Sequence, residues 1–263
     1  MSSLDLPLLT LVLLVATAFV AGWVDAVVGG GGLIQLPALL IGLPASTPPA
    51  AVLGTNKLSS VFGTATSSLT YAVKIRPDWR TVLPLVIAAG AGAAGGAELA
   101  KYLPKTWFTP VVLVALVGVG VYTWRRPELG LTSTRKHQGS AHYGRTALIG
   151  LGVGAYDGFL GPGTGSFFVI LLVSVLGYGF LEASAKAKLA NLTTNISAIT
   201  VFALHGSVLW KLGLTMGAAN LLGGLLGSRM AIRHGNGFVR RVFLVVLAGL
   251  ILKLAYDTAR QFL

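Results

Sequence analysis

Asp25-Ala-Val-Val-Gly29-Gly-Gly-Gly32, followed after one short apolar run by Gly54-Thr55-Asn56-Lys57, is the stretch that decides the architecture of this 263-residue chain. The residues on either side of it are apolar enough to sit in a bilayer. Gly29, Gly30, Gly31 and Gly32 free the backbone from helical geometry, so the run predicts a helix broken at membrane depth. Irregular backbone is tolerated there only when it is buried in protein or lines a water-filled cavity. Lys57, inside the next apolar segment, costs about 2.5–3.5 kcal/mol on insertion scales and marks a functional site. A broken helix followed by a charge is the pattern of a transporter site.

Composition supports the bilayer reading. The chain is 54% hydrophobic and 11% charged, with a mean hydropathy of +0.78, whereas soluble domains carry roughly 25% charged residues. Spans of about 20 residues leave room for eight to ten membrane segments and for no extramembrane domain of useful size. The net charge of +12 is spread over short loops between apolar runs rather than over one patch. That is the positive-inside pattern and excludes a nucleic-acid partner. Cysteine is absent, which removes disulfides, thiol nucleophiles and thiolate metal sites. No Lys or Arg precedes the apolar run Leu6–Val20, so it reads as a retained first span rather than a cleaved leader.

Apolar segments fall at about 6–28, 33–43, 48–73, 81–100 and 108–124, then, past a basic connection, at about 146–160, 165–178, 181–204, 209–232 and 238–259. The second set repeats the first. A shift of 131 residues places Lys57 on Lys188, Trp79 on Trp210, and Gly92 and Gly96 on Gly223 and Gly227. One extra residue brings Asp25 onto Asp157 and the glycine run onto Gly161-Pro-Gly163-Thr164-Gly165. The chain therefore reads as a first membrane repeat (1–128), a cytoplasmic basic linker (129–144) and a second membrane repeat (145–263). The heavier basic loop changes place between the halves: Lys74, Arg76 and Arg80 in the first, Arg229, Arg233, Arg240 and Arg241 in the second. Five crossings per half invert the second repeat and put 74–80, 125–145 and 229–241 in the cytoplasm. Eight helices would make the halves parallel, and the inverted arrangement is preferred. The short run 33–43, about 16 Å at 1.5 Å per residue, is half a span or a re-entrant limb.

The segments GGGGLIQLPALL (29–40), LGTNKLSSVFGT (53–64), GPGTGSF (161–167) and KAKLANLTTNISAITVFALHGSVLW (186–210) resemble the TauE/SafE family, the sulfite exporters. The resemblance covers nearly the whole chain, duplication included. It implies an all-α, multi-pass permease of the plasma membrane (the inner membrane in a Gram-negative source). The implied cargo is a small sulfur-containing anion such as sulfite or an organosulfonate. It carries over no agreed binding residues, so the site is argued from physics.

A helix N-terminus offers free N–H groups and the positive end of its dipole to an oxyanion. The breaks at Gly29–Gly32 and at Gly161, Gly163, Thr164 and Gly165 each precede a short helix, beginning near Leu33 and Ser166. Both are candidate anion sites, with Thr164 and Ser166 adding hydroxyl donors. Gly92, Gly96, Gly223 and Gly227 are better read as tight helix crossings. Lys57 and Lys188 would complement an anion, or else snorkel to an interface or pair with a carboxylate; Lys186 beside Lys188 favours snorkelling in the second half. Asn56, Asn191 and Asn195 offer amide donors, or satisfy broken backbone. Asp25 and Asp157 would repel an anion unless protonated, which suggests proton coupling, against the plainer role of capping or pairing with Lys57 or Lys188. His205, Trp79 and Trp210 suit the interface. No metal constellation, cofactor motif, catalytic triad or P-loop is present in the sequence. The expected function is a secondary transporter working by alternating access, not an enzyme; an uncoupled anion channel, or a membrane-embedded enzyme, are the competing readings. Lipid and the anion are the expected partners, and self-association into a homo-oligomer stays open.

Overall fold

Helix is the only regular structure among the described residues of the computed structural model (6–44, 46–100, 125, 130–134 and 139–262). This is the fold of a polytopic membrane protein. A long helix α1 (Leu8–Val28) ends at the glycine run and a short α2 (Gly32–Gly42) follows it. Two long helices come next, α3 (Pro49–Ile75) and α4 (Trp79–Leu99). The same order then recurs: α5 (Gly139–Phe159), short α6 (Thr164–Ser174), α7 (Phe180–Leu204) and α8 (Trp210–Phe262). Each short helix spans 11 residues, too few to cross a bilayer of about 30 Å. The segment expected at 108–124 lies outside the described residues.

One boundary differs from the sequence reading, and one connection is tighter than expected. The second half's first helix starts at Gly139, within the expected linker, because His142 is buried and engages Thr81 and Tyr178. The segments expected at 209–232 and 238–259 are the two helical arms of α8, which meet at a kink at Gly235, whose φ of 70° and ψ of −164° place it outside helical space. The expected cytoplasmic connection 229–241 is thus a tight kink at Gly235 between two helical arms rather than an open loop. The described part of the linker is mostly exposed but tied to the bundle at two points: the N–H groups of Phe180 and Thr134 donate to the carbonyls of Gly130 and Gly177.

Small residues let the long helices pack closely. On α4, Gly92 and Gly96 lie against the backbone of Leu151 and Ala155 in α5. On α8, Gly223 and Gly227 lie against Phe19 and Trp23 in α1 in the same way. A Cβ at any of the four would collide with backbone, so these glycines serve helix crossing. Residue numbers rise together along both contacts, so α1 runs parallel to the first arm of α8 and α4 runs parallel to α5. The central helices α3 and α7 run opposite ways, with Gly54 near Phe202 and Thr64 bonded to Asn195. Trp79 and Trp210 stand half-exposed at the starts of α4 and α8, and His205 is exposed at the end of α7 with its ring bonded to the Val201 carbonyl.

Candidate transport site

The two glycine breaks touch. Gly29 caps α1 in the left-handed region, φ 83°, with its N–H on the Asp25 carbonyl at 2.8 Å. A Cβ on Gly29 would overlap the backbone of Gly165, and one on Gly165 would overlap Gly29. The Ser166 N–H donates to the Gly29 carbonyl at 3.1 Å and its hydroxyl to the Val28 carbonyl at 3.0 Å. Ser166 thus ties the two breaks together instead of facing a ligand. Tyrosines satisfy other carbonyls of the broken backbone: Tyr71 donates to Ala26 and Tyr156 to Pro162, at 3.0 and 2.6 Å.

Beside this contact lies a cavity of about 20 Å³ lined by Asp25, Gly29, Gly32, Asn56, Lys57, Ser60, Asp157, Gly161, Gly163, Thr164, Gly165, Asn191 and Asn195. That is room for about one water, less than an oxyanion needs, so the site is closed. The structure brings most of the residues singled out in the sequence to this one point. Gly30, Gly31, Ser166 and Lys188 lie outside the lining. Ser60 was missed, although the 131-residue shift sets it opposite Asn191. Gln35 and Asn220 were missed too; they bond to each other at 3.0 Å behind α1 and α2.

Both lysines are paired, and the pairs cross the halves. Lys57 on α3 meets Asp157 on α5 at 2.6 Å, and Lys188 on α7 meets Asp25 on α1 at 2.8 Å. The side chains of Lys57, Asp157 and Lys188 are almost wholly buried and that of Asp25 is 13% exposed. The desolvation cost of an ammonium at this depth is offset by the opposing carboxylate, so neither lysine snorkels. Lys186 does not reach an interface either: it is fully buried, bonded to Glu182 at 2.7 Å and 4.1 Å above the Tyr178 ring. Asp157 also accepts from the Thr164 hydroxyl. Asn195 donates its amide to Thr64 across the α3–α7 crossing at 3.3 Å. The buried oxygens Asn56 Oδ1 and Asp157 Oδ2 are left without a hydrogen-bond partner at the cavity. Buried polar atoms left unsatisfied are few in native proteins, and each calls for an explanation.

The model of the sulfite exporter TauE/SafE family matches residues 14–254. A probable membrane transporter protein, ORF9, of Sinorhizobium sp. is 36% identical over 253 residues, covering 96% of this chain and 95% of that protein. A probable membrane transporter protein of Haemophilus influenzae is 34% identical, covering 97% and 98%. The probable membrane transporter protein YfcA of Escherichia coli K12 is 34% identical, covering 93% and 89%. No solved structure matches the chain. Polar breaks that meet inside an apolar helical bundle, with a family match over nearly the whole length, make this a multi-pass plasma-membrane transporter and not an enzyme. The chain belongs to the TauE/SafE family.

Proposed function

We propose that the protein is a secondary transporter of small sulfur-containing anions, sulfite or organosulfonates, working by alternating access between two inverted repeats, 1–128 and 145–263, joined by a cytoplasmic linker. The antiparallel crossing of α3 and α7 supports the inversion, because Thr64 and Asn195, which bond there, are 131 residues apart and hence equivalent. The exchanged contacts, α4 on α5 and α1 on α8, support it as well.

The observation that carries the reading is the crossed pairing of Lys57 with Asp157 and of Lys188 with Asp25 around a closed polar cavity. Each ammonium is neutralised by a carboxylate from the other half. An entering oxyanion competes with that carboxylate for the lysine, and a proton on Asp157 or Asp25 removes the competitor. Separation of the halves opens the pairs to one side of the membrane at a time. Asn56, Asn191, Asn195 and Thr164, with the backbone of Gly29, Gly32, Gly161, Gly163 and Gly165, supply hydrogen bonds in place of the anion's water.

The test is flux in proteoliposomes with labelled sulfite and sulfoacetate, with and without an inward proton gradient. Saturable uptake, accelerated by unlabelled anion inside and by the gradient, is expected. Uptake that rises linearly with concentration and ignores internal anion would make it a channel, and the absence of uptake of either anion would remove the substrate class.

A further inference from the structure

A groove of about 460 Å³ opens on the outer face of the bundle between the C-terminal turns of α3 and the first arm of α8. Its walls are Leu69, Thr70, Val73 and Ile232, and Lys74, Arg229 and Arg233 rim it. Two turns before the groove the same helices touch backbone to backbone at Gly63 and Gly224. Leu69 and Val73 are 67% and 69% exposed, so the walls face hydrocarbon in a bilayer. Among the described residues none of the three cations has a carboxylate partner, in contrast to the buried lysines of the transport site.

The level of the groove is fixed by its surroundings. Lys74 lies in the last turn of α3 just before the Arg76–Trp79 turn, and Arg233 lies two residues before the Gly235 break. Both sit where the basic loops place the cytoplasmic interface. A ligand there meets three cations at headgroup depth and an apolar trough beneath them. A free inorganic anion would use the cations and leave the trough empty.

We infer that this groove is a binding site for an anionic phospholipid of the cytoplasmic leaflet, its phosphate held by Lys74, Arg229 and Arg233 and its acyl chain laid along Leu69, Val73 and Ile232. Basic pockets between membrane helices on the cytoplasmic side recognise anionic headgroups in this way. The site touches none of the residues lining the transport cavity, so it stands or falls apart from the proposed substrate.

The experiment is native mass spectrometry of the full-length protein released from nanodiscs containing phosphatidylglycerol and phosphatidylcholine in equal amounts. Wild type is expected to retain phosphatidylglycerol several-fold over phosphatidylcholine. R229Q/R233Q should fall to the bulk ratio, while R229K/R233K and R241Q keep the preference. Should the double variant fail to stay monodisperse, K74Q is read in its place and should weaken the preference. Equal retention of the two lipids by wild type, or an undiminished preference in R229Q/R233Q or K74Q, would overturn the inference. Displacement of the retained lipid by inorganic phosphate would overturn it too, since the groove would then be a free-anion site.

Discussion

Lys57 and Asp157 illustrate why a buried ion pair is better evidence for a site than for stability. Taking two charges out of water is costly, and an apolar pair of similar volume would serve the fold as well or better. Removing one partner is the damaging change. Lys57→Ala strands the Asp157 carboxylate, buried beside Asn56 and Thr164, and is expected to lower stability by about 3–5 kcal/mol if the charge is kept. The double variant K57A/D157N removes the stranded charge and should recover much of that loss while remaining inactive in flux. Thermal unfolding in detergent, followed by size-exclusion chromatography, checks both. A double variant no more stable than the single one would mean that the two residues do not act as a pair. The same comparison for Lys188 and Asp25 should give a smaller difference, because Asp25 retains some solvent.

At the scale of elements, the two half-helices are held by their glycines. Gly29 carries a positive φ and has no room for a methyl group, while Gly165 has the same lack of room across the contact. An L side chain in the left-handed region costs about 1–2 kcal/mol before any collision is counted. Gly29→Ala is therefore expected to lose folded yield or flux outright, and Gly165→Ala to part the two breaks. Gly152→Ala on the open face of α5, where nothing lies within 4 Å, should be silent. Purified yield and proteoliposome flux for the three variants are the readout, and a silent Gly29→Ala would remove the backbone contact as a determinant of the site. The half-helices themselves were legible because a glycine run beside an apolar run too short to span leaves few other structures in a bilayer. The use of the α6 N-terminus was not. Free N–H groups there suggest an anion, yet the Ser166 N–H is spent on the carbonyl of Gly29, and only the approach of α1 makes that acceptor available.

For the whole molecule, the inverted arrangement predicts that equivalent loops lie on opposite sides of the membrane. The turns before Trp79 and before Trp210 are equivalent by the 131-residue shift. The chain contains no cysteine, so single cysteines at Arg76 and Ser207 report without background. R76C should react with a membrane-impermeant maleimide only from the cytoplasmic side and S207C only from the other. Labelling of both from one side would make the halves parallel. The proposal draws its support from α3 and α7, which cross antiparallel at Thr64 and Asn195, 131 residues apart.

Class and the position of the glycine breaks were determined by the sequence itself. They follow from local free energies: apolar transfer along each run, the conformational freedom of glycine, and the charge of the loops. The recurring helix order has a counterpart in the sequence, where Asp, Lys and Trp are scarce and recur at one spacing. Tertiary structure alone decided which carboxylate each lysine meets, that Lys186 is buried on Glu182 and Tyr178 rather than at an interface, and that the cavity is closed to the size of one water. The crossed pairs and the cavity depend on the separation of groups on different helices, some of them more than a hundred residues apart, whereas Lys186 and Glu182 share α7 and the fold adds the burial of the lysine. A charge at membrane depth announces that it needs a partner, but packing chooses the partner.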